Sequence, residues 1–138
     1  MKLKLSIIIC TFNRGKSLSR CLKGLCRQTF SDFEVIIVDG GSTDDTNQIV
    51  DKFSKKLKIK LVVDRRKELA QVRDQGWREA RGKYVAWIDD DVVVSHNWTQ
   101  EVITTLDSSS KIGGVSGPTI INKSLLSKRD VFSFYNKK

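Results

Sequence analysis

The chain has 138 residues, with 25 Lys and Arg against 16 Asp and Glu for a formal net charge of +9. Its length suits one domain with a core of its own, and 39% hydrophobic with 30% charged residues excludes a disordered chain. No apolar run approaches the roughly 20 residues of a spanning helix, and the short run after Lys2 and Lys4 leads into Asn13-Arg14 with no cleavage site, so neither span nor leader is expected.

In chain order, Leu5-Cys10 is an apolar, β-branched run that reads as a first strand, followed by Leu18, Cys21, Leu22 and Leu25 at helical spacing. Phe33-Val38 reads as a second strand, and Ser42-Thr43-Asp44-Asp45 as a cap with an acidic first turn, opening a helix with Ile49, Val50 and Phe53 inward. Ile59-Val63 is the third strand. Leu69, Val72, Gly76, Trp77 and Ala80 form the next helical stripe, which Arg81 and Gly82 are expected to end as a basic last turn and a terminating glycine. Tyr84-Ile88 is the fourth strand, Val102, Ile103 and Leu106 mark a fourth helix, and Ile112-Val115 is expected to be a fifth strand. Near-continuous apolar strands alternating with amphipathic helices imply an α/β fold: a doubly wound, mostly parallel sheet of about five strands with helices on both faces. Residues 1–122 are assigned to this domain and 123–138 to a basic, aromatic tail carrying Val131, Phe132, Phe134 and Tyr135.

Cys10, Cys21 and Cys26 are odd in number, lack metal-ligand spacing and sit among apolar residues, which fits a reducing, cytoplasmic setting. The excess positive charge favours an anionic partner: a nucleotide, a phospholipid surface or a nucleic acid.

In an open α/β sheet the ligand crevice lies outside the carboxyl ends of the strands. There the sequence places Thr11-Phe12-Asn13-Arg14, Asp39-Gly40-Gly41-Ser42 and Asp89-Asp90-Asp91. Three consecutive carboxylates repel one another unless a cation or an arginine lies among them: either they cap the following turn near Ser95 or, as the number of them favours, they hold a metal, and hard oxygen ligands suit Mg2+ or Mn2+. Two glycines let the chain turn closely past a ligand, with Ser42 capping the next helix and Asp39 facing the crevice to accept from a nucleobase or ribose. Phe12 offers a face for stacking or packs in the core. Arg73, inside an apolar stripe, needs an anion: Asp74, Asp39, or a ligand phosphate or base carbonyl.

Ser6-Ile-Ile-Ile-Cys-Thr-Phe-Asn-Arg14, Gln28-Thr-Phe30, Phe33-Glu-Val-Ile-Ile-Val-Asp-Gly-Gly-Ser-Thr-Asp44, Ala70-Gln-Val-Arg-Asp-Gln-Gly76 and Gly82-Lys-Tyr-Val-Ala-Trp-Ile-Asp-Asp-Asp91 occur in this order. Together they resemble the nucleotide-binding half of glycosyltransferase family 2, of the GT-A fold, over about residues 5 to 117. The resemblance implies a nucleoside-diphosphate sugar, with UDP the expected nucleotide, bound by the Cys10 backbone, Thr11, Phe12, Asn13, Asp39, Arg73, Asp89 and Asp90. It further implies Asp91 as the protein ligand of Mn2+ or Mg2+ within a DXD element, and inverting transfer of the sugar to a carbohydrate or lipid-linked acceptor. Cys10 stands where the family usually has Pro, Gly40 where it has a second Asp, and Asp74 where it has Asn.

The family's general base is a downstream carboxylate, and Asp130 is the single acidic residue after Asp107. The catalytic base is therefore unassigned, and the chain is expected to hold the donor half without the acceptor half. A basic tail also suits peripheral contact with the inner face of a membrane. The rival enzyme class is a haloacid-dehalogenase-like phosphohydrolase with Asp89 as nucleophile, from Asp89-Asp-Asp-Val-Val93, although that motif normally ends a first strand. The rival non-enzyme class, a basic nucleic-acid-binding module, leaves the acidic cluster unexplained, so nucleic acid is not the expected partner.

Overall fold

The computed structural model describes residues 3–66 and 68–118, and the backbone of 134–136. Elements follow in the order β1 (Leu5–Thr11), α1 (Gly15–Leu25), β2 (Phe33–Asp39), α2 (Thr46–Ser54), β3 (Ile59–Val63), α3 (Leu69–Glu79), β4 (Tyr84–Trp87), α4 (Trp98–Asp107) and β5 (Phe134–Asn136). The sheet order is β3-β2-β1-β4-β5, with β3, β2, β1 and β4 parallel and β5 antiparallel to β4.

Strand side chains alternate between two cores because successive residues point to opposite faces. Leu5, Ile7 and Ile9 of β1 and Phe33, Val35 and Ile37 of β2 meet Leu18 and Leu22 of α1, Val50 and Phe53 of α2, and Val102, Ile103 and Leu106 of α4. Ile8, Ile36, Val38 and Val85 face the other way, onto Val72 of α3 and Ala80. Burial on both faces explains why β1 and β2 read as unbroken apolar runs rather than as alternating ones. The doubly wound α/β expectation holds.

Three local expectations need correction. The fifth strand is not Ile112-Val115, which is irregular. Ile112 and Val115 are apolar because they lie against the larger core, and the fifth position is taken by residues 134–136 pairing with β4. The remainder of the 123–138 tail lies outside the described residues.

The Ser42–Asp45 segment precedes α2 instead of forming its acidic first turn. Asp44 does the capping, and for two helices at once. Its Oδ1 accepts from the Thr46 N–H at 3.1 Å and its Oδ2 from the Gly15 N–H at 2.9 Å, so one carboxylate ties the starts of α1 and α2 together.

Arg81-Gly82 does not end α3, whose cap residue Ala80 is already extended (ψ 128°). Arg81 instead donates from its backbone N–H and guanidinium to the buried Glu34. Gly82 lies against the first strand, where a Cβ would come within 2.6 Å of the Ser6 backbone nitrogen. That glycine marks a close backbone approach rather than a helix stop.

Gln28 fastens the end of α1 to the start of α4, donating to the Ser95 carbonyl at 2.7 Å and accepting from the Thr99 N–H at 2.9 Å. No helix among the described residues is long and apolar enough to cross a membrane.

Candidate functional site

The strand order runs outward from β1 in both directions, to β2 and β3 on one side and to β4 on the other. Such a reversal splits the loops that leave the carboxyl ends of neighbouring strands and opens a crevice between them. A cleft of about 650 Å3 lies here, lined by Cys10, Thr11, Phe12, Arg14, Gly40, Arg65, Arg66, Leu69, Val72, Arg73 and Asp89 to Asp91.

Its acidic wall follows β4. Asp90 is 3% exposed, accepts from the Thr11 hydroxyl at 2.8 Å, and meets Arg14 Nη1 at 3.3 Å. Burial pushes the Asp90 carboxyl up from its ordinary range, against the opposing pull of the Thr11 hydroxyl and Arg14. Asp91 Oδ2 accepts from Arg14 Nη2 at 2.5 Å, while Asp91 Oδ1 is buried with no hydrogen-bond partner among the described residues. Asp89 is more open and lies 3.5 Å from Arg73 Nη2. Arg73 thus faces Asp89 rather than Asp74, which pairs with Arg78, or Asp39.

The opposite wall is cationic and apolar. Arg66 is held bidentately by Asp64, whereas the Arg65 guanidinium has no carboxylate partner among the described residues. Phe12 is 57% exposed, so packing does not consume its ring. Gly40 lets the ring lie close, since a Cβ there would come within 3.1 Å of Phe12 Cδ2. The thiol of Cys10 is pushed up to about 11, chiefly by burial, so it lines the cleft as a neutral group.

Asp39 and Asn13 are not among the residues that line the cleft; they hold together the loop that follows β2. Asp39 is 1% exposed, and both its oxygens accept from Ser42, at 3.1 Å from the N–H and 2.5 Å from the hydroxyl. Ser42 therefore closes this loop onto Asp39 instead of capping the next helix, and Gly41 supplies the positive φ of 89°. Asn13 also has positive φ (52°), a conformation its short polar side chain tolerates, and it clamps the same loop. It accepts from the Thr43 N–H at 2.8 Å while its own N–H donates to Ser42 Oγ at 2.8 Å.

Sequence reasoning placed Arg14 at the crevice without giving it a role, and passed over Arg65 and Arg66. The available signal for Arg14 was the repulsion within the acidic triplet, which required a cation nearby.

The cleft's oxygen-rich wall fits a divalent ion in one respect: the orphaned Asp91 Oδ1 is a hard donor awaiting a partner. No group of three or more acidic, histidine or cysteine side chains is arranged to hold a metal by itself among the described residues. A metal bound here would therefore need most of its ligands from outside these side chains.

A doubly wound α/β domain with a charged cleft at its switch point belongs to the large class of open-sheet folds that bind ligands at the carboxyl ends of their strands. Residues 6–133 match the family model described as Glycosyl transferase family 2, and the chain belongs to that family. It is 40% identical over 96 residues to the cholesterol galactosyltransferase of Borreliella burgdorferi, covering 68% of this chain and 27% of that protein. It is likewise 40% identical over 115 residues to the chondroitin synthase of Escherichia coli, covering 79% of this chain and 17% of that protein. The chain thus spans about a quarter or less of the length of these two curated relatives.

Among solved structures, S. aureus TarS 1-349 in complex with UDP-GlcNAc matches with a TM-score of 0.74 at 28% identity, over 90% of this chain and 38% of that one. The mannosyltransferase PcManGT from Pyrobaculum calidifontis, in complex with GDP-Man and Mn2+, matches with a TM-score of 0.82 at 19% identity, over 99% and 45% of the two chains, a likeness of fold alone. The phosphohydrolase and nucleic-acid readings find no support in these matches.

Proposed function

We propose that the cleft binds a nucleoside-diphosphate sugar, with UDP as the nucleotide, and that the whole protein transfers the sugar to an acceptor hydroxyl with inversion. The observation that carries this reading is one cleft holding an open aromatic face, arginines without full pairing, and a carboxylate with an orphaned oxygen. The UDP-GlcNAc complex of the related TarS supports it.

Phe12 stacks on the base. Thr11, the Cys10 backbone and the loop that Asp39 and Asn13 hold shut form the base end, and the remaining lone pair of Asp39 Oδ2 accepts from the base. Asp89 and Asp90 face the ribose side. Arg73 and Arg65 receive the diphosphate, for which guanidinium geometry is suited. Asp91 is the protein ligand for Mn2+ or Mg2+, which when bound would neutralise charge on the departing diphosphate. In the transfer, the acceptor oxygen bonds to the anomeric carbon as the bond from that carbon to the phosphate oxygen breaks.

The acceptor's proton needs a base. Asp107 does not qualify, because it lies at the opposite end of the strands, bonded to Lys4, Lys83 and Tyr84. These residues alone are therefore expected to bind donor without efficient turnover. We further propose that the basic tail serves a lipid-linked acceptor at a membrane surface.

Calorimetry with UDP, GDP and ADP, each with and without Mn2+ or Mg2+, tests the reading. Metal-dependent UDP binding is expected, and Asp91→Ala should abolish the metal dependence. UDP binding that is indifferent to Asp91→Ala and to EDTA would overturn the metal assignment, and absence of nucleotide binding would overturn the function.

A further inference from the structure

Arg14 occupies an unusual place. It immediately precedes α1, where the helix's unpaired N–H groups present partial positive charge, and its carbonyl accepts the first helical bond from Leu18 at 3.0 Å. Asp44 Oδ2 already accepts from the first N–H of that helix, at Gly15, so the guanidinium is free to reach elsewhere. It pairs with the carboxylates that follow β4: Nη1 lies 3.3 Å from Asp90 Oδ1, and Nη2 lies 2.5 Å from Asp91 Oδ2. Thr11 already occupies Asp90 Oδ2, so the arginine fork spans the oxygens that the two carboxylates leave toward it. Asp91 Oδ1 stays unpartnered beside this pair.

We infer that Arg14 is the resident counter-cation of Asp90 and Asp91, and that its displacement makes binding of a divalent ion and of the nucleotide diphosphate mutually dependent. This inference rests on the donor-site reading above. An ion arriving alone meets a guanidinium already neutralising its ligand, and expelling that guanidinium takes it from both of its carboxylate partners. A diphosphate arriving with the ion gives the guanidinium a new anion, so the exchange of partners costs little. Arg14 thereby acts as a positioning residue that penalises loading by metal alone. Because coupling between two ligands is reciprocal, the same residue should appear in both affinities.

The test is a titration of Mn2+ into wild type and Arg14→Gln, alone and with saturating UDP, followed by electron paramagnetic resonance of free Mn2+. Without UDP, Arg14→Gln should bind Mn2+ about fivefold tighter than wild type, and with Mn2+ present UDP should bind about fivefold more weakly, each the size of one partly exposed ion pair. Arg14→Lys, which keeps the charge, should restore most of the coupling. Mn2+ affinity in the absence of UDP that is unchanged or weaker in Arg14→Gln overturns the inference.

A second measurement does not depend on a variant folding. The side-chain 15N resonance of Arg14 in wild type should shift with Mg2+ and UDP together and stay in place with Mg2+ alone. A full shift on Mg2+ alone, or none with both, also overturns the inference. Wild type that binds no UDP under any condition defeats the donor-site reading itself, whereas normal UDP binding with an indifferent Arg14 defeats only this step.

Discussion

At the scale of single residues, the cleft separates side chains that support it from side chains left available for a ligand. Asp39, Asn13, Ser42 and Asp44 spend their hydrogen bonds on one another and on helix starts. Phe12 and Arg65 do not, and both flank the Gly40-Gly41 turn. Removing Phe12 should therefore affect binding far more than folding. Phe12→Ala is expected to weaken UDP binding about tenfold or more, the size of one lost base stack, with a thermal midpoint close to wild type. Phe12→Tyr should retain affinity, and equal UDP affinity in Phe12→Ala would remove the ring from the base site.

At the scale of elements, α3 and β4 meet through a junction whose tightness was misread as a helix stop. Gly82 faces the Ser6 nitrogen, the Leu5 carbonyl carbon and the Tyr84 oxygen, and a Cβ would lie within 2.6–2.8 Å of them. These are backbone atoms in or beside β1 and β4, so relief requires shifting a strand. Gly82→Ala should destabilise the domain by about 2–3 kcal/mol, in the range of overpacked core substitutions. Urea unfolding monitored by circular dichroism measures it, and a midpoint equal to wild type would show that the junction yields more easily than its geometry implies.

The same scale shows which elements were legible. The strands β1 to β4 and all four helices follow from local apolar spacing, since each buries its stripe against the nearest sheet face. β5 does not follow, because three residues gain strand conformation only by pairing with the free edge of β4. Ile112-Val115 misled for the converse reason: apolar residues that cover a core need not pair.

For the whole molecule, charge is arranged at two ends of the sheet. The carboxyl end carries the cleft, and the amino end carries Glu34 with Ser6 and Arg81, and Asp107 with Lys4, Lys83 and Tyr84. Burial alone would raise the Glu34 carboxyl, but bonds from the Arg81 side chain, Ser6 and the Arg81 N–H outweigh it and leave it below its ordinary value. Asp107 is lowered by Lys4 first, then by Tyr84 and Lys83. A carboxylate lowered on folding stabilises the native state fully above its unfolded value, about 4, and loses that contribution as pH falls through the folded value. The thermal midpoint should therefore be flat from pH 7 to about 5 and fall below about 4. Glu34→Gln should lower the midpoint at pH 7 and shrink the drop on acidification, as calorimetry at pH 7 and pH 3 would show; an unchanged drop would assign acid sensitivity elsewhere.

By itself the sequence determined the alternation of strands and helices, the sheet's burial on two faces, the family, and which loops meet at the cleft. Those properties depend on residues close in the chain or on a pattern repeated along it. Only the tertiary structure decided which of those loop residues reach the cleft. Asn13 clamps the loop after β2 because β1 and β2 are neighbours, with Thr11 opposite Asp39. Arg14 met Asp90 and Asp91 because β1 and β4 are neighbours, a contact spanning 77 residues to Asp91. Charged loop residues have no periodicity to read, so their partners are set by strand order, and strand order is settled by burial over the whole sheet.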